Sequence, residues 1–294
     1  MTHEHLLSEP DPPARNERRL LWAMVLTAGF MVAEFVGGLL TGSLALIADS
    51  AHMLTDAVAL GLAWGAFRLA RLRGPSARLT YGLRRLPVLV AFANGLALFF
   101  IVGWIVFEAV ARLAAPVTVL AGPMLAVATA GLLVNVGSFA LLHGADRNNL
   151  NIRGAILHVL GDLLGSVAAI AAAGIILMTG WYPADPLLSV LVAAILAVGA
   201  YRLARDSAHI LLEGTPEGVD VHAIAADLAA HVAGVDEVHH VHVWSLSEEG
   251  VMATLHARIA ETADGDEVLA AIRQRLDAEF GIGHATIQIE REGC

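Results

Sequence analysis

The sequence carries His52-Met53-Leu54-Thr55-Asp56 within an apolar stretch that runs from Ser43 to Leu69. A second apolar stretch, from Ile152 to Met178, repeats the spacing as His158-Val159-Leu160-Gly161-Asp162. On a helix, two residues four apart lie on one face, with roughly 5–6 Å between their Cβ atoms. An ionisable side chain inside a membrane span costs on the order of 3 kcal/mol. The repeated pair therefore predicts one shared ligand.

Two imidazoles and two carboxylates form a complete tetrahedral shell for Zn²⁺. The two pairs thus predict an intramembrane zinc site formed by His52, Asp56, His158 and Asp162. The alternative is that each histidine forms a hydrogen bond between neighbouring helices, which is worth about 0.6–2 kcal/mol in membranes. The presence of the pair in both stretches favours the metal site.

The composition is typical of a membrane protein with an acidic soluble part. The chain is 57% hydrophobic and 16% charged, and its mean hydropathy is +0.67, whereas soluble domains contain about 25% charged residues. Residues 1–205 hold 14 Arg and 11 acidic residues, and residues 206–294 hold 4 Arg and 17 acidic residues. We expect the lipid bilayer as a partner and no nucleic acid.

Six segments are long and apolar enough to cross a bilayer, which takes roughly 20 residues. Their predicted bounds are 20–40, 44–69, 86–111, 117–143, 152–179 and 186–204. Thirteen arginines lie in the N-terminal tail, the alternate loops and the exit of the last segment, against Arg112 alone on the other side. Because arginine-rich loops stay in the cytoplasm, we expect both termini there, in the cell (inner) membrane of a prokaryote.

Three domains follow from these patterns. Residues 1–19 are mostly polar and predict a disordered cytoplasmic tail, and residues 20–205 predict an all-α six-helix transmembrane bundle. Residues 206–294 alternate amphipathic helices with strand patterns in the order α-β-β-α-β, which indicates a small cytoplasmic α+β domain. Strand alternation places His240 and His242 on one face of the first strand and His239 on the other.

Polar residues inside the spans have structural interpretations beside functional ones. Asp49 lies near the start of its helix, where a capping or dipole role is as plausible as metal binding. Glu34, Asn94, Glu108 and Asn135 are interpreted as structural polar residues that face the bundle, and Asp185 as a helix cap.

Further strings accompany the two His-x-x-x-Asp pairs. They are Ser43-Leu44-Ala45-Leu46, Thr80-Tyr81-Gly82, Asn149-Leu150-Asn151-Ile152-Arg153, Leu212-Glu213-Gly214-Thr215-Pro216 and His242-Val243-Trp244-Ser245-Leu246. With these strings in order, the chain resembles the zinc-transporter-like branch of the cation diffusion facilitator family from about Leu20 to Gly293. The resemblance implies a homodimeric Zn²⁺ exporter that works by proton-coupled antiport, with a metallochaperone-like cytoplasmic domain.

The resemblance also implies a second metal site. His239, His256, Gln288 and Glu290 fall where family members bind regulatory zinc at the dimer interface. Gln288 is a poor zinc ligand, which leaves His239, His256 and Glu290 as the candidate ligands. Ordinary surface histidines are the alternative interpretation of this cluster.

Two other classes of function compete with transport. An intramembrane zinc hydrolase usually has three protein ligands and an open position for water, but this chain offers four ligands and lacks His-Glu-x-x-His, so we expect no enzyme activity. A metal-sensing membrane scaffold remains open as a second alternative. For a transporter, metal binding displaces protons from imidazole and carboxylate, and alternating access around a midplane site is the expected mechanism.

Overall fold

The computed structural model describes residues 14–74, 76–143, 150–247 and 250–291. Six long helices come first: α1 (Ala14–Thr41), α2 (Leu44–Leu72), α3 (Leu86–Ala114), α4 (Ala121–His143), α5 (Leu150–Thr179) and α6 (Ala184–Leu211). Five shorter elements follow: α7 (Val221–His231), β1 (Val235–Ser247), β2 (Gly250–Ile259), α8 (Gly265–Phe280) and β3 (His284–Glu290). The predicted helical membrane part and the α-β-β-α-β order after it are confirmed.

Four helices are long and apolar enough to cross a membrane over their described residues. These segments are Leu86–Ala114, Ala121–Ala140, Gly161–Thr179 and Ala184–Leu211. The first two helices contribute shorter apolar stretches, Val25–Thr41 and Leu44–Thr55, within their described residues. The count of six membrane spans therefore stays a prediction.

The first helix starts earlier than the sequence pattern indicated. α1 begins at Ala14, so residues 14–19 are helical, and the predicted disordered tail is wrong for them. Arginine and glutamate have good helix propensity, which lets the helix extend from the apolar span into this polar segment. Pro12 and Pro13 precede it, and the rest of the predicted tail lies outside the described residues.

The chain forms two compact units. One contains the residues up to Leu60 together with Asn94–Tyr201, and the other contains Gly61–Ala93 together with Arg202–Cys294. The second unit thus includes the connection between α2 and α3 as well as the small α/β fold. The predicted domain boundary between residues 205 and 206 stays a prediction.

Small residues let the helices of the first unit approach closely. Ala128 of α4 is buried in one cluster with Ala169, Ala172 and Ala173 of α5. Gly131 of α4 lies against α1, since an added methyl group there would be 2.7 Å from Phe30 Cε1. Membrane helices associate through such close van der Waals contacts because lipid tails give them no hydrophobic driving force.

The N-terminus of α2 is held by a side chain from another helix. Asp185, in the first turn of α6, accepts hydrogen bonds from Ser43 Oγ and Leu44 N, both at 2.7 Å, and from Ala45 N at 3.2 Å. A carboxylate at this position satisfies amide groups that the helix leaves without partners and faces the positive end of its dipole. Asp185 is therefore a helix cap, as predicted, but the helix that it caps is α2.

The α/β part of the second unit is a three-stranded sheet with two helices. β1 pairs with β2 antiparallel, and β2 pairs with β3 parallel through the α8 crossover. The buried core alternates along β2 and recurs every fourth residue on α8 at Val268, Ile272 and Leu276. These periods of two and about 3.6 are those that the sequence pattern contained.

An ion pair joins the two helices of this layer. Arg275 of α8 donates from Nε and Nη2 to the two carboxylate oxygens of Asp227 on α7. The Arg275 hydrogen bonds hold the pKa of Asp227 below its usual value. His231 Nδ1 lies 3.0 Å from Asp227 Oδ1 on the same helix.

We expect Asp227→Asn to reduce the acid sensitivity of the α7–α8 layer. A carboxylate with a lowered folded-state pKa stabilises the fold above its unfolded pKa of about 3.9, and that stability is lost as the pH falls through the folded-state pKa. Between pH 6 and pH 3, the protection factors of the α7 and α8 amides, which correct hydrogen exchange for its intrinsic pH dependence, should therefore fall more in the unaltered protein than in Asp227→Asn. Asp236→Asn is the control, and an equal fall in all three proteins would contradict the assignment.

Candidate metal centres

Two of the four predicted intramembrane ligands have described side chains. Asp162 on α5 is fully buried, and His52 on α2 is half-buried. The backbone is helical at both His-x-x-x-Asp strings, so each pair occupies successive turns of one helix, as predicted. The side chains of Asp56 and His158 lie outside the described residues, and their part in the site stays a prediction.

Helices α2 and α5 meet one turn away from these residues. A methyl group added at Gly165 of α5 would lie 2.3 Å from Asp49 Oδ1 of α2. Asp49 precedes His52 by three residues, and Gly165 follows Asp162 by three. Only glycine allows the carboxyl group of Asp49 to approach α5 this closely.

Three carboxyl groups from three helices share this interior. Glu34 of α1, Asp49 of α2 and Asp162 of α5 are 1%, 3% and 0% exposed. The Glu34 and Asp49 carboxyl groups lie next to each other. Both also interact electrostatically with Asp162. The result is a buried acidic interior next to His52.

The structure decides between the interpretations of these polar residues. The capping role considered for Asp49 is wrong, because Asp185 supplies the cap of α2 and the carboxyl group of Asp49 meets Glu34 instead. Glu34 and Asn135 are buried as predicted, and Asn135 Nδ2 donates to Ser166 Oγ at 3.3 Å. Asn94 and Glu108 are only half-buried, and Glu108 Oε1 accepts a hydrogen bond from Arg112 Nε at 2.8 Å.

A second cluster of metal-ligating side chains lies on the sheet. One ring nitrogen from each of three histidines lies within 4.8 Å of the other two; the residues are His239, His240 and His256. Glu290 of β3 places Oε2 at 3.3 Å from His239 Nε2 and Oε1 at 2.7 Å from His256 Nδ1. Three imidazoles and one carboxylate match the donor set of a tetrahedral zinc site.

A bulge in β1 brings His240 into this cluster. His239 pairs with His256 and His242 with Thr254, so β1 has one residue more than β2 across this interval. His240 lies in this bulge and has a φ of +49°, a left-handed backbone conformation that is uncommon for residues other than glycine. The predicted alternation, which put His239 and His240 on opposite faces, is wrong here because the bulge breaks the period of two.

The rings confirm this arrangement. The centroid of the His240 ring lies 5.1 Å from that of His239 and 5.0 Å from that of His256. Gln288 Nε2 donates to Glu290 Oε1 at 2.7 Å and thereby orients the carboxylate. The sequence indicated His239, His256 and Glu290 but missed His240, whose only signal was its position beside His239.

Two family models match the chain. The cation efflux transmembrane domain matches residues 20–212, and the cation efflux protein cytoplasmic domain matches residues 216–292. The first model covers both His-x-x-x-Asp pairs, and the second covers the whole histidine cluster on the sheet.

Bacterial relatives match over nearly the full length. The zinc transporter ZitB of Pectobacterium atrosepticum is 49% identical over 100% of this chain and 90% of its own length. The ZitB protein of Escherichia coli K12 is also 49% identical, over 100% and 94%. A Bacillus subtilis protein named cadmium, cobalt and zinc/H(+)-K(+) antiporter is 39% identical over 94% and 90%. These relatives are metal cation transporters and not enzymes, which argues against the hydrolase alternative.

We expect Gly165→Ala to impair the intramembrane site. The added methyl group would overlap Asp49 and push α2 away from α5 at the level of the predicted ligands. Gly174→Ala, on the same helix, is the matched control because an added methyl group there meets nothing within 4 Å. Zinc titration of both purified proteins should show a loss of affinity of at least about tenfold for Gly165→Ala, by analogy with the effect of altered supporting residues at metal sites. Equal affinities would contradict the packing argument.

Proposed function

Because the chain belongs to the cation efflux family, we propose that it exports Zn²⁺ in exchange for protons through an intramembrane site of His52, Asp56, His158 and Asp162. The observation that carries the proposal is the close approach of Asp49 to Gly165, one turn from His52 and from Asp162. The names of the ZitB relatives support zinc as the transported ion.

The register of α2 against α5 supports a shared site. If successive spans alternate in direction, the second and fifth run antiparallel. In antiparallel helices, moving toward the C-terminus of α2 corresponds to moving toward the N-terminus of α5. Three residues after Asp49 comes His52, and three residues before Gly165 comes Asp162, so these two side chains would lie side by side. One further turn places Asp56 beside His158, since a turn rises about 5.4 Å in each helix. All four predicted ligands then occupy two adjacent levels.

The acidic interior supports a divalent cation as cargo. Buried carboxylates are costly without a compensating charge, and Glu34 and Asp49 lie near Asp162. A divalent cation at Asp56 and Asp162 relieves this cost, whereas an anion would increase it. The transported ion is therefore both bound by the ligands and attracted by the charges behind them.

Proton coupling follows from the ligand chemistry. Zinc binds neutral imidazole and ionised carboxylate, so binding releases protons and protonation releases zinc. Histidine titrates near pH 6.5 when unperturbed, between the pH of a typical cytoplasm and that of an acidic exterior. Alternating access would load zinc from the cytoplasm and exchange it for protons outside. The Bacillus relative, named as an antiporter, supports this exchange.

The cytoplasmic part is proposed to dimerise and to respond to zinc. The donors are His239, His256 and Glu290, joined by His240 in this structure. Residues 206–294 carry net charge −13, so two such domains repel each other, and bound Zn²⁺ would reduce that repulsion. We propose a homodimer in the bacterial inner membrane, which the match to the family's cytoplasmic domain and the bacterial relatives support. The arginine distribution favours both termini in the cytoplasm.

Removal of one carboxylate ligand should abolish transport. We expect Asp56→Ala and Asp162→Ala in sealed proteoliposomes to lose at least about 90% of zinc-driven proton exchange, because ligand loss exceeds the 10–100-fold effect of outer-shell changes. Zinc and pH dyes inside the vesicles measure both ions at once. Asn135→Ala is the control for loss of a buried polar group. Normal transport by either aspartate variant would remove it from the site, and zinc binding without any transport by the unaltered protein would favour the scaffold.

His52→Asp should broaden the site toward Cd²⁺. The substitution exchanges a nitrogen donor for a flexible oxygen and weakens the preference for a small tetrahedral ion. We expect the Cd²⁺/Zn²⁺ transport ratio to rise severalfold in the same vesicles. His222→Asp, an exposed cytoplasmic position, should leave the ratio unchanged. An unaltered ratio in His52→Asp would show that ligand identity does not set selectivity.

Zinc should draw paired cytoplasmic domains together. A spin label at Glu279→Cys, in a Cys294→Ser background, reports the distance between two protomers of the full-length protein. We expect added Zn²⁺ to shorten this distance, His256→Ala to remove the response, and His222→Ala to retain it. A response that survives His256→Ala would place regulation elsewhere, and a distance that zinc leaves unchanged in the unaltered protein would reject the regulatory role.

A further inference from the structure

A cavity of about 480 Å³ lies in the second unit between the α2–α3 connection and the α/β fold. Its volume falls within the range of about 300–1,000 Å³ that is typical of ligand pockets. The connection contributes most of the wall, and Leu211, Glu213, Trp244 and Leu246 close the other side. Neither metal centre shares these residues.

The polar side of the cavity is basic. Arg78, Arg84 and Arg85 line it, against Glu213 as the acidic residue. Arg85 Nη2 pairs with Glu213 Oε1 at 3.2 Å, which neutralises one of the three guanidinium groups. Arg78 and Arg84 are exposed and make no ion pair with a described residue. Two positive charges therefore remain available to a ligand.

The same cavity has an unusually apolar wall. Leu79 and Leu89 line it and are each 50% exposed, and Tyr81 beside them is 51% exposed. Leu83 and Leu211 extend this surface. A small soluble anion would satisfy the arginines and leave the leucines in contact with water. An amphiphile with an anionic head would cover both.

The surroundings of the connection point to such a molecule. It joins two predicted membrane spans and carries Arg71, Arg73, Arg78, Arg84 and Arg85 without an acidic residue between Leu72 and Leu86. The cytoplasmic leaflet carries anionic lipids that attract basic residues next to membrane spans, at about 1 kcal/mol for each. Guanidinium groups also bind phosphate in a bidentate manner that an ammonium group cannot reproduce.

We propose that this cavity binds the headgroup of an anionic phospholipid, with its phosphate on Arg78 and Arg84 and its acyl chains along Leu79 and Leu89. Trp244 and Leu246 belong to β1, so the bound lipid contacts the α2–α3 connection and the cytoplasmic sheet at once. The inference goes beyond the transport proposal and holds whichever ion is carried.

The test uses the full-length protein, purified in mild detergent and titrated with phosphatidylglycerol or with phosphatidylcholine of the same acyl chains. Native mass spectrometry counts the lipids retained. We expect retention of phosphatidylglycerol over phosphatidylcholine, and a loss of phosphatidylglycerol affinity of about 25-fold for Arg78→Gln with Arg84→Gln, at about fivefold for each charge. The paired control, Arg73→Gln with Arg202→Gln, removes the same charge at positions that do not line the cavity.

Each other outcome overturns the proposal. Equal losses in the two double variants would mean diffuse attraction to basic residues and no defined site. Displacement of the lipid by inorganic phosphate at millimolar concentration would mean that the cavity takes the free anion. Retention of both lipids alike, or of neither, would mean that no headgroup is recognised. Arg78 and Arg84 are exposed, and zinc titration of each variant checks that the fold is intact.

Discussion

The burial of ionisable groups among membrane helices is the constraint on which the rest of this structure depends. Glu34, Asp49 and Asp162 have almost no exposed surface, and each would be costly to bury as an isolated charge. Glu34 and Asp49 also lie next to each other and near Asp162, so like charges in this interior add to one another's cost. The proposed metal site would set Asp162 next to His52, and a divalent cation bound there would compensate the charge that the helices enclose.

The helix packing serves this constraint. Gly165 admits the carboxyl group of Asp49 between α2 and α5, and Asp185 fixes the start of α2 from the first turn of α6. Arg112 of α3 lies 3.9 Å from Asp185 Oδ2 and donates to the carbonyl oxygen of Gly42 at the turn before α2. The helix that carries His52 is therefore positioned by contacts with three others, α3, α5 and α6, so the proposed ligand His52 needs little reorganisation to meet an ion.

The sequence predicted the elements well because periodicity is a local property. Every fourth residue on α8 is apolar, and the residues of β2 alternate, so their partners could be inferred from the chain itself. The His-x-x-x-Asp spacing likewise identified one face of α2 and of α5. The partner of Asp49 could not be inferred in this way, because its meeting with Glu34 and Gly165 depends on how three helices pack. The sequence could not show that Asp185 caps α2 either, because this contact also depends on how the helices pack.

His240 shows the limit of a periodic argument most clearly. Alternation along the strand assigned His240 to the face opposite His239. Only the pairing of β1 with β2 reveals the extra residue in β1 that brings the His240 ring to the side of His239. A non-glycine residue with positive φ costs of order 1–3 kcal/mol, so the bulge persists only where the surrounding sheet holds it. The two centres then differ in kind. The proposed intramembrane ligands lie on helices, with Asp162 fully buried, whereas His240 is exposed on a bulged strand. If both clusters bind zinc as proposed, solvent access favours rapid exchange of a sensed ion at the sheet, and enclosure favours controlled release of a carried ion in the membrane.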